Sequence, residues 1–167
     1  MEIHECICKF DTSKMCLADD NQHNCICKYN TSKECRANAS HDCICDISIN
    51  KVCQANNRHK CNCKNDTDKK CISKNHKCNC RDDVQKNCLV TEFHECNCPF
   101  NTKDCKMMNG NHMCNCTNDI DKTCVAKHHM CNCTSDIKKK CVLQTHHVCN
   151  CQLNFEKVCL SVRHFIV

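Results

Sequence analysis

His59-Lys60-Cys61-Asn62-Cys63-Lys64-Asn65-Asp66-Thr67-Asp68-Lys69-Lys70-Cys71 holds the pattern on which the whole chain is built. It reads H-x-C-x-C-x7-C, and the 167 residues carry nine copies of it at a period of 17 to 19 residues. The copies are His4, Cys6, Cys8, Cys16; His23, Cys25, Cys27, Cys35; and His41, Cys43, Cys45, Cys53. They continue as His59, Cys61, Cys63, Cys71; His76, Cys78, Cys80, Cys88; and His94, Cys96, Cys98, Cys105. The last three are His112, Cys114, Cys116, Cys124; His129, Cys131, Cys133, Cys141; and His147, Cys149, Cys151, Cys159. All 27 cysteines belong to this repeat. Self-similarity of this kind marks a tandem array, in which each unit buries its inner face only against its neighbours.

The expected fold is therefore a small cysteine-rich tandem-repeat protein: an elongated, solenoid-like array of nine modules stapled by metal or disulfides. Repeat limits fall near 4–22, 23–40, 41–58, 59–75, 76–93, 94–111, 112–128, 129–146 and 147–163, with a short tail at 164–167. Each module reads as a C-x-C strand followed by a short hairpin or helical turn. Asp11, Asn30, Asp66, Asp83, Asp119, Asp136 and Asn154, five residues before the third cysteine, can cap a helix or make an Asx-turn. With Gly110 the only glycine and Pro99 the only proline, helical turns are mildly favoured over tight hairpins.

Between the paired cysteines stand Ile7, Ile26 and Ile44, then Asn62, Asn79, Asn97, Asn115, Asn132 and Asn150. Recent duplication accounts for this run, and stacking into Ile and Asn ladders would as well. The sixth copy is short by one residue before Cys105 and long by one after it, around Met107, Met108, Asn109 and Gly110. A kink or junction is expected there.

Leu, Ile, Val and Phe supply 29 of the 167 residues, too few for an ordinary apolar core. Ordering a backbone costs roughly 1 to 2 kcal/mol per residue, so cross-links must make up the difference. Three cysteines per repeat and an odd total of 27 suit disulfides poorly, because one thiol is left over in any closed monomer. Three cysteines and a histidine form a full tetrahedral set for structural zinc. In an extended strand, alternate residues step about 6.6 Å along one face, so a C-x-C pair can pinch a metal while the local His lies too far from the second cysteine. The His of the following copy offers another closure, as in Cys6, Cys8, Cys16 and His23. His164 follows Cys159 at the matching interval. In either registry nine complete Cys3His sites can be drawn.

Lys stands two residues before the third cysteine in every copy: Lys14, Lys33, Lys51, Lys69, Lys86, Lys103, Lys122, Lys139 and Lys157. It can offset thiolate charge, or it can be a solvated side chain on an outer face. Nine divalent ions, each held by three thiolates, would take the formal charge of +5 to −4.

The C-x-C pairs resemble those of metallothioneins, which hold zinc or copper(I) in thiolate clusters, although here the cysteines are sparser and more regular. Cys61-Asn62-Cys63-Lys64 is similar to the opening of tesmin-type CXC zinc domains, with different spacing beyond it and without the Tyr of that family. Tandem C-x-C repeats also resemble cysteine-rich silk and salivary proteins. Each resemblance covers only the cysteine pattern.

These observations favour a non-enzymatic protein that binds zinc or copper(I), as a metal store or a metal-stapled scaffold. The alternative is a secreted, disulfide-cross-linked structural or effector protein, self-associating through leftover thiols. Acidic residues occur without a repeated pair, and no phosphate-binding glycine loop is present, so an enzyme is not expected. Twenty lysines accompany four arginines, one tyrosine and no tryptophan, a poor set for stacking nucleic-acid bases. No apolar run approaches the roughly 18 residues of a membrane helix. The chain enters its first repeat at once with no secretory leader, so the expectation is an intracellular protein if the chain is full length and a secreted one if it is a mature form. Five N-x-S/T sequons, at Asn30, Asn38, Asn65, Asn115 and Asn132, suit the second case.

Overall fold

The computed structural model describes residues 3–18, 22–85, 87–101, 104–107, 110–121, 123–145 and 147–161. It is an all-strand parallel β-solenoid with about 18 residues per turn and no helix among the described residues. From His4 to His147 the chain makes eight full turns, and each turn lays one repeat on the next. Every strand pairing is parallel, so the expected hairpins and helical turns do not occur among the described residues. A hairpin would turn each repeat back on itself, whereas coiling lets identical residues meet their own kind one turn on. No described helix is long and apolar enough to cross a membrane.

Each turn has three extended segments. The first carries H-x-C, the second is centred on the Asp or Asn position, and the third contains the last cysteine. In the early turns the first two merge into single strands, Ile3–Thr12, Gln22–Thr31 and Ser40–Ile49. Later they separate, as in Arg58–Cys61 and Asn65–Thr67. Segments such as Val52–Ala55 and Thr123–Ala126 make the third face. Side chains alternate across a strand, so His, Cys and Cys point inward together while the residues between them point out. The pattern of Gln22–Thr31 shows it: His23, Cys25 and Cys27 are buried, and Ile26 is exposed.

Like residues meet from turn to turn. His4, His23, His41 and His59 align in successive turns, and the third cysteines align in the same way from Cys16 to Cys159. Ile and Asn ladders, one of the two readings of these positions, both form. Ile7, Ile26 and Ile44 stack on the outer face. From Asn79 onward each amide nitrogen donates to the amide oxygen one turn before, at 3.1 Å for Asn79 to Asn62, 3.0 Å for Asn97 to Asn79 and 2.9 Å for Asn115 to Asn97. Asn132 and Asn150 continue the chain of donors at 3.1 Å each.

The corner between second and third faces is made without glycine. Ser13, Ser32, Asn50, Asp68, Gln85, Asp121, Lys138 and Glu156 all take φ between 48 and 52°, one in each repeat whose corner is among the described residues. This left-handed conformation costs an L-residue about 1 kcal/mol or more. It is held by the ladder itself: the amides of Ser32 and Lys138 donate to the carbonyls of Ile49 and Phe155 in the next turn at 2.9 and 2.8 Å. Backbone groups at the other corners are paired likewise, as Asn62 to Cys43 at 2.9 Å.

The irregular sixth repeat does not break the stack. His94 pairs with His112 and Cys105 with Cys124, in register with the turns on either side. One turn earlier the extra residue between Cys88 and His94 is taken up by a shift between Val90 and Phe93, and Gly110 packs so closely that a Cβ there would come within 2.5 Å of the Glu92 carbonyl oxygen. Met107 occupies an inward position held elsewhere by Ala18, Ala37, Ala55 and Ala126, and is buried. Met108 and Asn109 lie outside the described residues.

Candidate metal centre

The interior is a column of sulfur, imidazole and ammonium in place of an aliphatic core. Cysteines of all three classes are buried through the middle turns, and so are His23, His41, His59, His76, His94, His112 and His129. No disulfide is seen among the 25 cysteines whose side chains are described. Only at the last described turn do they open to solvent: Cys149 and Cys159 are exposed and Cys151 is half-buried. The side chains of Cys8 and Cys105, and all of His164, lie outside the described residues.

Consecutive histidine rings stack at 4.8 to 5.2 Å from His23 to His147 with interplanar angles of 4 to 17°. A neutral imidazole offers one donor and one acceptor. Yet neither ring nitrogen of His23, His41 or His59 has a hydrogen-bond partner, although all three rings are buried. Burying an unsatisfied polar group costs about 1 to 3 kcal/mol, so three such rings in succession fit a ligand that their nitrogens would bind.

The donor geometry agrees. In His59, Cys61, Cys71 and His76 the ligand atoms all lie within 4.8 Å of one another, and all four residues are buried. His112, Cys114, Cys124 and His129 repeat the set, as do His129, Cys131, Cys141 and His147. Around a tetrahedral zinc, sulfur and nitrogen stand roughly 3.6 Å apart and two sulfurs roughly 3.8 Å. Cys96 Sγ is 3.4 Å from His94 Nε2 and 3.6 Å from His112 Nε2. Sulfur pairs within a repeat approach to 3.5 Å, as Cys25 with Cys27, and pairs across turns to 3.4 Å, as Cys78 with Cys98.

These sets differ in composition from a Cys3His group drawn along the sequence. The first and third cysteines of a turn meet two histidines, one from their own repeat and one from the next. The second cysteine faces elsewhere, in a set of Cys61, Cys63, Asp66 and Cys80. His129 belongs to two sets at once and Cys61 to two others, so neighbouring sets are not independent.

Two further residues lie inward, one of them the lysine for which the sequence left thiolate contact and a solvated face both open. Asp66, read as a turn former, is fully buried and pairs with Lys69 at 3.3 Å. The recurrent lysine is inside: Lys33, Lys51, Lys69 and Lys139 are fully buried. Lys51 Nζ donates to Cys25 and Cys43 at 3.1 Å each, and Lys69 Nζ to Cys61 at 2.7 Å. Burial alone would discharge Lys69, but Asp66 and the thiols of Cys43 and Cys61 outweigh it and hold its pKa well above the ordinary lysine value.

The thiols respond in pairs. The hydrogen bond between Cys25 and Cys27 drives the first down and the second up, so one sulfur of the pair carries the charge. The imidazoles diverge with their surroundings. Burial lowers His23 to about 4 and His94 to about 3. At His129, burial is outweighed by Cys114, Cys124 and Cys131, which raise it to about 11.

Comparison with known protein families, with curated proteins and with solved structures found no match to this chain. Fold and site together define its class: a cysteine-rich parallel β-solenoid whose interior Cys/His groups can hold metal ions.

Proposed function

We propose that this chain is a non-enzymatic metal-binding protein in which zinc or copper(I) ions, bound along the interior column, hold the turns together. It then serves as a metal store or a metal-stapled scaffold. The observation that carries this reading is the buried set His59, Cys61, Cys71 and His76, whose ligand atoms lie within 4.8 Å of one another while both ring nitrogens of His59 lack a hydrogen-bond partner. Thiolate and imidazole suit zinc and copper(I) better than hard cations such as calcium. Structural zinc in small domains contributes about 10 to 16 kcal/mol, which is the kind of stabilisation an interior poor in aliphatic side chains requires.

The test is native mass spectrometry with and without chelator and reductant, paired with circular dichroism. The expected result is a fully reduced chain carrying several ions, which loses strand signal when a chelator strips them. A chain short of two hydrogens for each cysteine pair, carrying no metal and indifferent to chelator, would overturn the reading in favour of a disulfide-stapled protein.

A further inference from the structure

The set of Cys61, Cys63, Asp66 and Cys80 offers three sulfurs and a carboxylate within 4.8 Å, all buried, which is metal-site chemistry. It already holds a positive charge. Lys69 Nζ stands 2.7 Å from Cys61 Sγ, 3.5 Å from Cys63 Sγ and 3.3 Å from Asp66 Oδ2, so three of the four donors surround it. The fourth, Cys80, reaches Asp66 Oδ2 at 3.2 Å. In the histidine-containing set next to it, by contrast, both ring nitrogens of His59 lack a hydrogen-bond partner.

The same lodging recurs along the column. Lys33 Nζ is 3.0 Å from Cys6 Sγ and 3.5 Å from Cys27 Sγ. Lys139 reaches Cys131 at 3.0 Å, and Lys157 reaches Cys149 at 2.7 Å. Each contact joins a lysine to the paired cysteines through the ammonium, a compact charge with three donors and no lone pair for a metal. An ion entering this column would meet a like charge a few ångströms away, on a fully buried side chain at Lys33, Lys69 and Lys139.

We propose that the interior lysines are the resident cations of a second donor column, which they occupy in place of metal, and that they thereby limit the solenoid to one metal ion per turn. The proposal rests on the metal reading above and assigns its capacity. The histidine-bearing sets take ions; the sets around Lys69 and its counterparts take none while the ammonium is present. The constancy of this lysine through all nine repeats then has a chemical reason, because a missing lysine would open a competing site.

The experiment is cobalt(II) loading of the reduced full chain, with ions counted by native mass spectrometry and the ligand set read from the cobalt absorption. Wild type is expected to saturate at no more ions than it has repeats. Lys69→Ala is expected to take one more ion, with stronger sulfur-to-cobalt charge transfer, and Lys69→Arg to keep the wild-type count. A folded Lys69→Ala that saturates at the wild-type number overturns the proposal. Lys139→Ala is the second variant should the first not fold, and a wild-type chain that takes more ions than repeats overturns the proposal without any variant. A wild-type chain that takes no cobalt refutes the metal reading itself, and this inference with it.

Discussion

Lys51 in the third repeat donates a hydrogen bond to the sulfur of Cys25 in the second, at 3.1 Å, and its ammonium is fully buried. The contact ties one turn to the turn before it, and a second bond of 3.1 Å to Cys43 ties the lysine into its own. Turn-to-turn cohesion therefore comes from charged hydrogen bonds inside the column as well as from the backbone ladder outside. Lys51→Met keeps the side-chain length and removes the charge. It should destabilise the metal-loaded protein by about 3 kcal/mol, the scale on which a buried ion pair loses one partner. Urea denaturation followed by circular dichroism measures this, and a midpoint equal to wild type would show that the buried ammonium adds nothing.

His129 is shared by two donor sets, whereas Cys141 stands in one of them. His129→Ala should weaken two ions and Cys141→Ser one, so the two variants should differ by one ion in metal counts under limiting chelator. Equal counts would mean that each histidine serves a single site.

Asn97 donates to Asn79 and accepts from Asn115, at 3.0 and 2.9 Å. Asn62, at the start of the amide ladder, accepts from Asn79 at 3.1 Å. Asn97→Ala removes two rungs and should cost about 2 kcal/mol, while Asn62→Ala removes one and should cost about half as much. Comparing the two denaturation midpoints decides whether the ladder stabilises rung by rung.

Lys138 is exposed and holds φ at 52°, a conformation that glycine adopts without strain. Lys138→Gly should stabilise the protein by about 0.5 to 1 kcal/mol, the relief of left-handed strain exceeding the added entropy of the unfolded chain. Lys138→Val should destabilise it by at least as much. Thermal melts of both variants against wild type give the sign directly.

Much of the architecture can be read from the repeat. A period near 18 residues, cysteines two apart and like residues at like positions lead to a coil that stacks in register, and the Ile and Asn ladders follow. The corner at Ser32, Gln85 or Lys138 could not be foreseen, because nothing in these residue types asks for positive φ; at Ser32 and Lys138 inter-turn hydrogen bonds hold it. The lysine did leave a signal. Lys51 stands two residues before Cys53, so in an extended chain both face the same side. A helical turn at that point would have turned it outward, and local sequence allowed either. Asp66 left no such signal, because the left-handed corner at Asp68 breaks the parity between it and Cys71.

The sequence by itself determined the donor inventory and the stacking period, since those depend only on which residues recur and how far apart. Which donors meet was decided by the tertiary structure. His76 joins Cys61, and Cys80 joins Cys61 and Cys63, because a turn of the solenoid brings residues about a full repeat apart within a few ångströms. Alternation along a strand decides that these side chains point inward; only the coil, through its corners and inter-turn hydrogen bonds, decides which of them share a place.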